Sequence, residues 1–210
     1  MGLFKRKPSF INTIERDMYL NNTLGYRDRK DQRDYQDELL SKVNAANEQY
    51  SVDGDLNKLI KTCEFAFIES DPPCHTSQNL KLADYYMKAG LNDRAWGYLN
   101  RLSCNNEAPM SKIRSKQAGI LKKEKRYTEA VRFYMAAHLY KSEGLQYQPD
   151  LFKKDIQSCA NKLKWNQDKI DYLSYLIEYL TKHKCYDEGV LIDQYKKALF
   201  SFGELSNSER

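Results

Sequence analysis

The sequence predicts an all-α protein, and three observations support this prediction. Apolar residues recur at steps of three and four positions, as in Leu82, Tyr86 and Ala89, and this is the period of one helix face. No long stretch alternates between apolar and polar residues, as a half-buried strand would. Glycine and proline together make up only 14 of the 210 residues, so the chain contains few of the residues that interrupt helices.

About nine helices are expected, and turn-forming residues mark the breaks between them. Ser111 and Asp150 each follow such a break, and their side chains could cap the helices that begin there. The breaks lie at Asp53-Gly54-Asp55, Asp71-Pro72-Pro73, Gly90 with Asn92-Asp93, Ala108-Pro109 and Gln148-Pro149-Asp150. The predicted helices span residues 36–50, 55–69, 77–89, 92–104, 111–124, 127–142, 150–164, 167–183 and 187–201.

The first 35 residues differ in pattern from the rest of the chain. Residues 9–20 could form a short amphipathic helix with Phe10, Ile14 and Met18 on one side. Residues 21–34 are polar and dense in charge, which is typical of a linker or of an exposed helical extension. We therefore predict a basic N-terminal arm or extension over 1–35, a helical domain over 36–205 and a short tail over 206–210.

Composition excludes several classes of protein. Apolar residues make up 41% and charged residues 30% of the chain, which is too balanced for a disordered or low-complexity protein. Apolar runs such as the tetrapeptide 65–68 are only a few residues long, whereas a membrane span needs about 20 residues. The five cysteines are odd in number and contain no CxxC pair, so we expect reduced thiols and a cytoplasmic location.

A repeat of about 35 residues is visible in the middle of the chain. The segment from Leu82 to Leu102 aligns with the segment from Gln117 to Ala137, and Ala95 is matched by Ala130. Each unit reads as a helix, a short turn and a second helix, and the small residue of the second helix lets the two backbones approach. Fainter copies precede and follow, the last of them placing Gly189 at the small position. A single hairpin cannot bury its apolar faces alone, so neighbouring units are expected to stack.

These repeats resemble the tetratricopeptide-repeat family. The family pattern of apolar-small, aromatic, turn glycine and small is visible in Leu82-Ala83, Tyr86, Gly90 and Ala95, and part of it recurs in Tyr127-Thr128-Glu129-Ala130. The resemblance is best over 77–142 and weaker over 36–72 and 167–201. Lys125 stands where the family has its turn glycine, and the early tryptophan is absent. The resemblance implies a right-handed superhelix of stacked hairpins; an irregular helical bundle is the alternative.

The same resemblance implies a concave groove lined by the first helix of each unit. Residues 111–132 carry eight lysines and arginines against two glutamates, a local excess of +6. A carboxylate-bearing peptide would be attracted to such a face, more strongly at low salt, although a solvated helix face is the commoner meaning of a charge run. The candidate groove residues are Asp84, Met87, Lys88, Lys112, Ser115, Lys122 and Lys123.

Reactive and metal-binding motifs are not evident in the sequence. No phosphate-binding glycine loop, HExxH or GxSxG occurs, and the three histidines lack the paired spacing of a zinc site. Asp53, Asp55 and Glu64 fall at calcium-loop positions, but Lys58 occupies the place of the required glycine, so a helix start is the better interpretation. No catalytic, cofactor-binding or metal-ligating residue and no cofactor are predicted.

The sequence therefore favours a non-enzymatic module that binds a protein or peptide, acidic in character, through a partly basic groove. Two alternatives stay open. Basic residues interleaved with Tyr127, Phe133 and Tyr134 could bind nucleic acid, although these aromatic residues fall on the predicted seam between helices. An uncharacterised helical enzyme would need a polar pocket with perturbed carboxyl groups.

Overall fold

A computed structural model of the protein describes residues 26–74, 78–143 and 145–204, with side chains from Asp31 onward. Over these residues the chain forms nine α-helices and no strand, which confirms the all-α class. Predictions for residues 1–25, for His75 and Ser77 and for 206–210 fall outside the described residues. The helices are α1 (Tyr26–Asp53), α2 (Leu56–Glu64), α3 (Asn79–Lys88), α4 (Asn92–Cys104), α5 (Met110–Lys123), α6 (Tyr127–Lys141), α7 (Pro149–Lys162), α8 (Gln167–Lys182) and α9 (Glu188–Ser201).

The helix limits agree with the predicted ones except near the N-terminus and at two caps. Helix α1 begins at Tyr26 rather than near residue 36, which agrees with a helical extension, and not with a linker, over residues 26–34. The segment that follows α2 is a π-helical turn, Phe65–Glu69, in which the Ser70 N–H donates to the Phe65 carbonyl at 2.8 Å. The two capping predictions are wrong, because the residues that precede α5 and α7 are Pro109 and Gln148, and Ser111 and Asp150 lie inside the first helical turns.

The described chain divides between Ala108 and Pro109 into two compact units. In the first unit, α1 packs on α2 and α2 packs on α3, and α3 and α4 form a hairpin. Glu64 ties α2 to this hairpin, because it accepts a hydrogen bond from the Tyr86 hydroxyl at 2.6 Å and pairs with Arg94 at 3.1 Å. Arg101 of α4 donates to the Phe67 carbonyl at 2.7 Å, which satisfies a carbonyl of the π-helical turn.

The second unit is organised around α6, which contacts α5, α7, α8 and α9. Helix α6 is apolar on most of its circumference, and a helix of this kind is stable only when neighbours cover it on several sides. Its fully or nearly fully buried residues include Ala130, Val131, Phe133, Met135, Ala136, Ala137, His138 and Leu139.

The last helix of the second unit is fastened to the first two. Glu188 of α9 accepts from Arg114 Nη2 of α5 at 2.8 Å and from the Tyr140 hydroxyl of α6 at 3.1 Å. The Tyr195 hydroxyl of α9 donates to the Thr128 carbonyl at 2.8 Å. Helix packing in this unit therefore extends beyond neighbours in sequence, whereas units of an open repeat array contact only adjacent units.

The small residues of the repeat behave differently in the two strong copies and in the last one. Ala95 and Ala130 are completely buried within their hairpins, as predicted. Gly189 is exposed at the start of α9, where its N–H donates to the capping carboxylate of Asp187 at 2.6 Å, so its predicted place in a helix seam is wrong. The right-handed superhelix stays a prediction.

Candidate functional site

A cleft of about 510 Å³ opens on the second unit between α5, α6 and α7. Its walls carry three ammonium groups, two hydroxyl groups, one imidazole and one carboxylate. We call these lining residues the cleft: Ser111, Lys112, Ser115, Lys116, Ala137, His138, Lys141 and Asp155.

Helix periodicity explains why α5 supplies half of the cleft. Residues 111 and 112 precede residues 115 and 116 by about one helical turn, so all four lie on one face of the first two turns. The opposite face carries Ile113 and Gln117, which are completely buried. The packing of α5 against α6 thus turns its basic face outward.

His138 and Asp155 form a hydrogen-bonded pair in the wall of the cleft. His138 is 6% exposed, and its Nε2 lies 2.8 Å from Asp155 Oδ2, whose side chain is about half exposed. Burial lowers the pKa of His138, while the hydrogen bond to Asp155 and its charge act in the opposite direction. With a neutral imidazole, Nε2–H donates to the carboxylate and the cleft has a formal charge of about +2, from three lysines and one aspartate.

A histidine–aspartate pair beside serines could belong to a nucleophilic site, so the nearest contacts of the pair matter. The Nε2 atom of His138 is engaged by Asp155, and the Ser142 hydroxyl donates to the backbone carbonyl of His138 at 2.7 Å. The ring also packs edge-on against Phe152, with centroids 5.5 Å apart. These contacts fix the imidazole in place, and they do not orient Ser142 toward it as a nucleophile would require.

A smaller cavity of about 130 Å³ adjoins the cleft and shares His138 and Lys141 with it. The loop that follows α6 lines its other side, where Leu145 is 67% exposed. A ligand seated in the cleft therefore has an apolar side chain and two glutamines, Gln146 and Gln148, within the adjoining space.

The seven predicted groove residues occupy three places. Lys112 and Ser115 line the cleft. Lys122 and Lys123 are exposed at the other end of α5, about 16 Å from Lys112 along the helix axis. Asp84, Met87 and Lys88 belong to α3 of the first unit, where Asp84 and Met87 are half-buried and Lys88 is exposed, with its ammonium 4.7 Å from the centre of the Tyr50 ring.

Glu188, which lies outside residues 111–132, offsets one charge of the predicted excess of +6 on that segment. Arg114 is bound by Glu188, as described above. At the surface, Arg126 pairs with Glu129 at 2.7 Å and with Glu124 at 3.2 Å, and these two glutamates are already counted in the excess. The basic face that reaches solvent consists mainly of lysines, and the stripe formed by Lys112, Ser115, Lys116, Gly119, Lys122 and Lys123 follows one side of α5.

Sequence analysis missed Lys116, Lys141, His138 and Asp155 as members of one site. Lys116 follows Lys112 by one helical turn and could have been added from that spacing. Lys141 and Asp155 could not, because they come from two other helices whose packing brings them to α5.

The calcium-like spacing at residues 53–64 is a helix start. Asp55 is the N-cap of α2, where its Oδ1 accepts from the Lys58 N–H at 3.0 Å, and Asp53 accepts from the Asp55 N–H at 2.9 Å. This confirms the interpretation made from the sequence. Across the part of the chain that the structure describes, no three His, Cys, Asp or Glu side chains gather as they would around a metal ion.

Comparisons with known proteins identify no relative of this chain. No family model matches the chain, and neither a curated protein nor a solved structure shows significant similarity to it. Within the described residues, none of the helices combines the length and the apolar character required to cross a bilayer.

Proposed function

We propose that this protein is a non-enzymatic binding module for an acidic peptide segment, which it takes up along α5. The observation that carries the proposal is the cleft, because it is open, basic and continuous with a stripe of lysines on the same helix. An extended peptide rises about 3.3 Å per residue, so the 16 Å between Lys112 and Lys123 accommodates about five peptide residues.

The proposal includes the tetratricopeptide-like superhelix and a cytoplasmic location. Support for the repeat comes from the two strong hairpins, α3–α4 and α5–α6. Ala95 and Ala130, which are 35 residues apart, are both completely buried in the second helix of their hairpins. Support for the location comes from the five cysteines, all of which are free thiols.

Binding of an acidic peptide to matched charge variants tests this function. The probe is a fluorescein-labelled decapeptide rich in glutamate, and its anisotropy is measured with the full chain at low and moderate salt. Reversal of Lys112, Lys122 and Lys123 to glutamate should weaken binding at least about tenfold, because attraction becomes repulsion along the whole stripe. The control reverses Lys162, Lys196 and Lys197, which are exposed on α7 and α9 and give the same change in net charge.

The two triple variants separate a local site from general attraction. Equal losses in both would mean that the peptide responds only to net charge, and this result would contradict the proposed function. Unchanged binding by the α5 variant would also contradict it. Tighter binding of a single-stranded RNA than of the peptide would favour the nucleic-acid alternative.

A further inference from the structure

We propose that the outer face of α8 is a self-association surface, on which α8 of a second copy of this chain packs in the antiparallel direction. Three features support this inference: exposed tyrosine rings, opposite charges at the two ends of the same face, and the symmetry that a pair of identical copies requires. The peptide site proposed on α5 uses other residues, so the two proposals can be tested separately.

Three tyrosines give the outer face of α8 an aromatic character. Tyr172, Tyr175 and Tyr179 are 48%, 62% and 48% exposed, whereas the other side of the helix is buried through residues such as Leu173 and Ile177. Charged and polar side chains normally occupy the solvent face of such a helix. Tyrosine is enriched at protein interfaces, because its ring buries apolar area while its hydroxyl still finds a hydrogen-bond partner. The face is therefore suited to a protein partner.

Contacts between neighbouring rings hold this aromatic row in place. The ring centres of Tyr175 and Tyr179 are 6.4 Å apart, and the ring of His183 lies 4.4 Å from that of Tyr179. The Tyr172 ring packs edge-on against Phe202, with centroids 5.9 Å apart. Rings that their neighbours already hold lose less conformational freedom when a partner covers them, which favours binding.

Charges of opposite sign stand at the two ends of the same face. Asp168 lies in the first turn of α8 and Lys182 in the last, and both side chains are exposed. Fourteen positions separate them, so they lie on the same side of the helix, about 21 Å apart, with Tyr175 midway. Among the described residues, Asp168 accepts from the Asn166 amide at 3.3 Å, and neither Asp168 nor Lys182 belongs to an ion pair.

Antiparallel packing of two copies brings these opposite charges together. A two-fold axis at Tyr175 places Asp168 of each copy opposite Lys182 of the other, and the contact is made twice, as a closed dimer requires. The two Tyr175 rings then meet at the centre. Parallel packing in register would instead set Asp168 against Asp168 and Lys182 against Lys182, which repel. The charge pattern therefore favours a second copy, in the antiparallel direction.

The acidic residues at one edge of the face are compatible with this arrangement. Asp171 is bound by Lys153 of α7 at 2.6 Å and by the Gln167 amide at 3.0 Å, so its charge is compensated within one chain. Glu178 is exposed at the same edge, and the two-fold axis carries it toward Asp171 and Lys153 of the other copy. Because that pair is neutral, Glu178 meets no net charge there.

The area of the aromatic row sets the expected strength of the dimer. A buried aromatic side chain removes about 150–250 Å² from solvent, so three half-exposed tyrosines offer on the order of 300 Å² per copy. A stable interface of standard size buries about 800 Å² per partner. The dimer is therefore expected to be weak and dependent on concentration, with a Kd of roughly 10–100 μM.

Sedimentation equilibrium of the full chain over about 5–500 μM tests the proposal. The average mass should rise from that of a monomer toward that of a dimer across this range. Tyr175→Ser removes the ring at the two-fold axis and should raise Kd at least about tenfold, because a tyrosine at the centre of an interface is typical of binding hot spots. The control, Leu145→Ser, removes another strongly exposed apolar side chain, from the loop after α6, and should leave Kd unchanged.

Charge reversals test the antiparallel direction. Asp168→Lys and Lys182→Asp, made singly, each set like charges against each other and should raise Kd at least about fivefold at low salt. The double variant Asp168→Lys with Lys182→Asp restores opposite charges in both contacts and should recover most of the affinity. Asp150→Lys and Lys162→Asp, at the exposed ends of α7, control for the effect of charge at helix termini and should leave Kd unchanged.

Four outcomes would overturn the inference. A mass that stays at the monomer value up to about 500 μM would exclude the dimer. Association that Tyr175→Ser leaves unchanged would exclude α8 as the surface. A double charge variant as weak as the single ones would exclude the antiparallel direction. Growth into assemblies larger than two copies would exclude a two-fold contact, because such a contact closes at the dimer.

Discussion

The hairpins α3–α4 and α5–α6 have the same internal construction and different outer faces. The turn residues Gly90 and Lys125 both adopt positive φ, 76° and 63°, and each donates to the carbonyl three residues earlier. The buried alanines Ala95 and Ala130 follow at the same offset. On the outer side, α3 presents Asp84, Met87 and Lys88, whereas α5 presents a row of lysines. The buried positions recur because packing constrains them, whereas the side chains on the outer faces differ between the two hairpins.

The largest effects are expected at the buried alanines that the two hairpins share. Ala130→Leu and Ala95→Leu should each lower the free energy of unfolding by about 1–3 kcal/mol, because both sites are completely buried and have no room for three more carbon atoms. Urea unfolding followed by circular dichroism measures the loss. Ala45→Leu, at an exposed position of α1, is the control and should change stability little. Tolerance of leucine at Ala130 would show that the alanine has no packing role.

The turns offer the next test, because one hairpin has glycine and the other lysine at the same left-handed position. Gly90→Lys should destabilise the first unit by about 1–2 kcal/mol, since a residue with a Cβ pays a steric cost at positive φ. Lys125→Gly should have the opposite sign and a smaller magnitude, because glycine also loses more entropy on folding. Thermal unfolding measures both changes. Destabilisation by Lys125→Gly would mean that the lysine charge near the end of α5 outweighs its backbone strain.

The two hairpins should also differ in how their stability depends on pH. The second hairpin contains His138, whereas the equivalent position of the first, 35 residues earlier, is Ser103. Burial lowers the pKa of His138, so below about pH 6.5 the unfolded chain binds a proton that the folded chain excludes. The free energy of unfolding should therefore fall by up to about 1.4 kcal/mol per pH unit as the pH drops from 6.5 toward the folded-state pKa. Urea unfolding at a series of pH values should show a shallower decline for His138→Gln. An equal decline in both proteins would exclude this histidine as the source.

The smallest expected effects come from two glycines that lie inside helices. A Cβ added at Gly119 of α5 or at Gly97 of α4 would meet nothing within 4 Å. Gly119→Ala and Gly97→Ala should each stabilise the protein by about 0.5–1 kcal/mol, because alanine loses less backbone entropy in a helix. Differential scanning calorimetry detects such a gain. A loss of stability at either site would indicate crowding at that position.

Most helices could be predicted from the sequence, because apolar residues at helical spacing and clear turn residues mark them. The start of α1 could not, since residues 26–34 carry almost no apolar residues and the period that marks a buried face is absent there. Lys125 departs from the family pattern in sequence, yet its backbone adopts the same left-handed conformation as Gly90. Lys164 and Lys184 also adopt positive φ. Sequence spacing alone does not predict that a lysine will occupy such a left-handed position.

The sequence predicts only two of the eight cleft residues, and there is a physical reason for this limit. Lys112 and Ser115 share a face of one helix, and helical spacing is readable along the chain. Lys141, His138 and Asp155 join them only through the packing of α6 and α7, which sequence periodicity does not specify. The count of basic residues was misleading in the same way, because Arg114 is neutralised by Glu188, 74 positions later in the chain.

The contact between Arg114 and Glu188 has a consequence for how the second unit would respond to cleavage. Its fifth helix returns to its first two, so the covalent link through the loop after α6 is not what holds the helices together. A protease that cuts beside the exposed Leu145 would produce two fragments that still share a common core. The fragments should elute together from a sizing column and separate only in denaturant, as complementing pieces of one domain do.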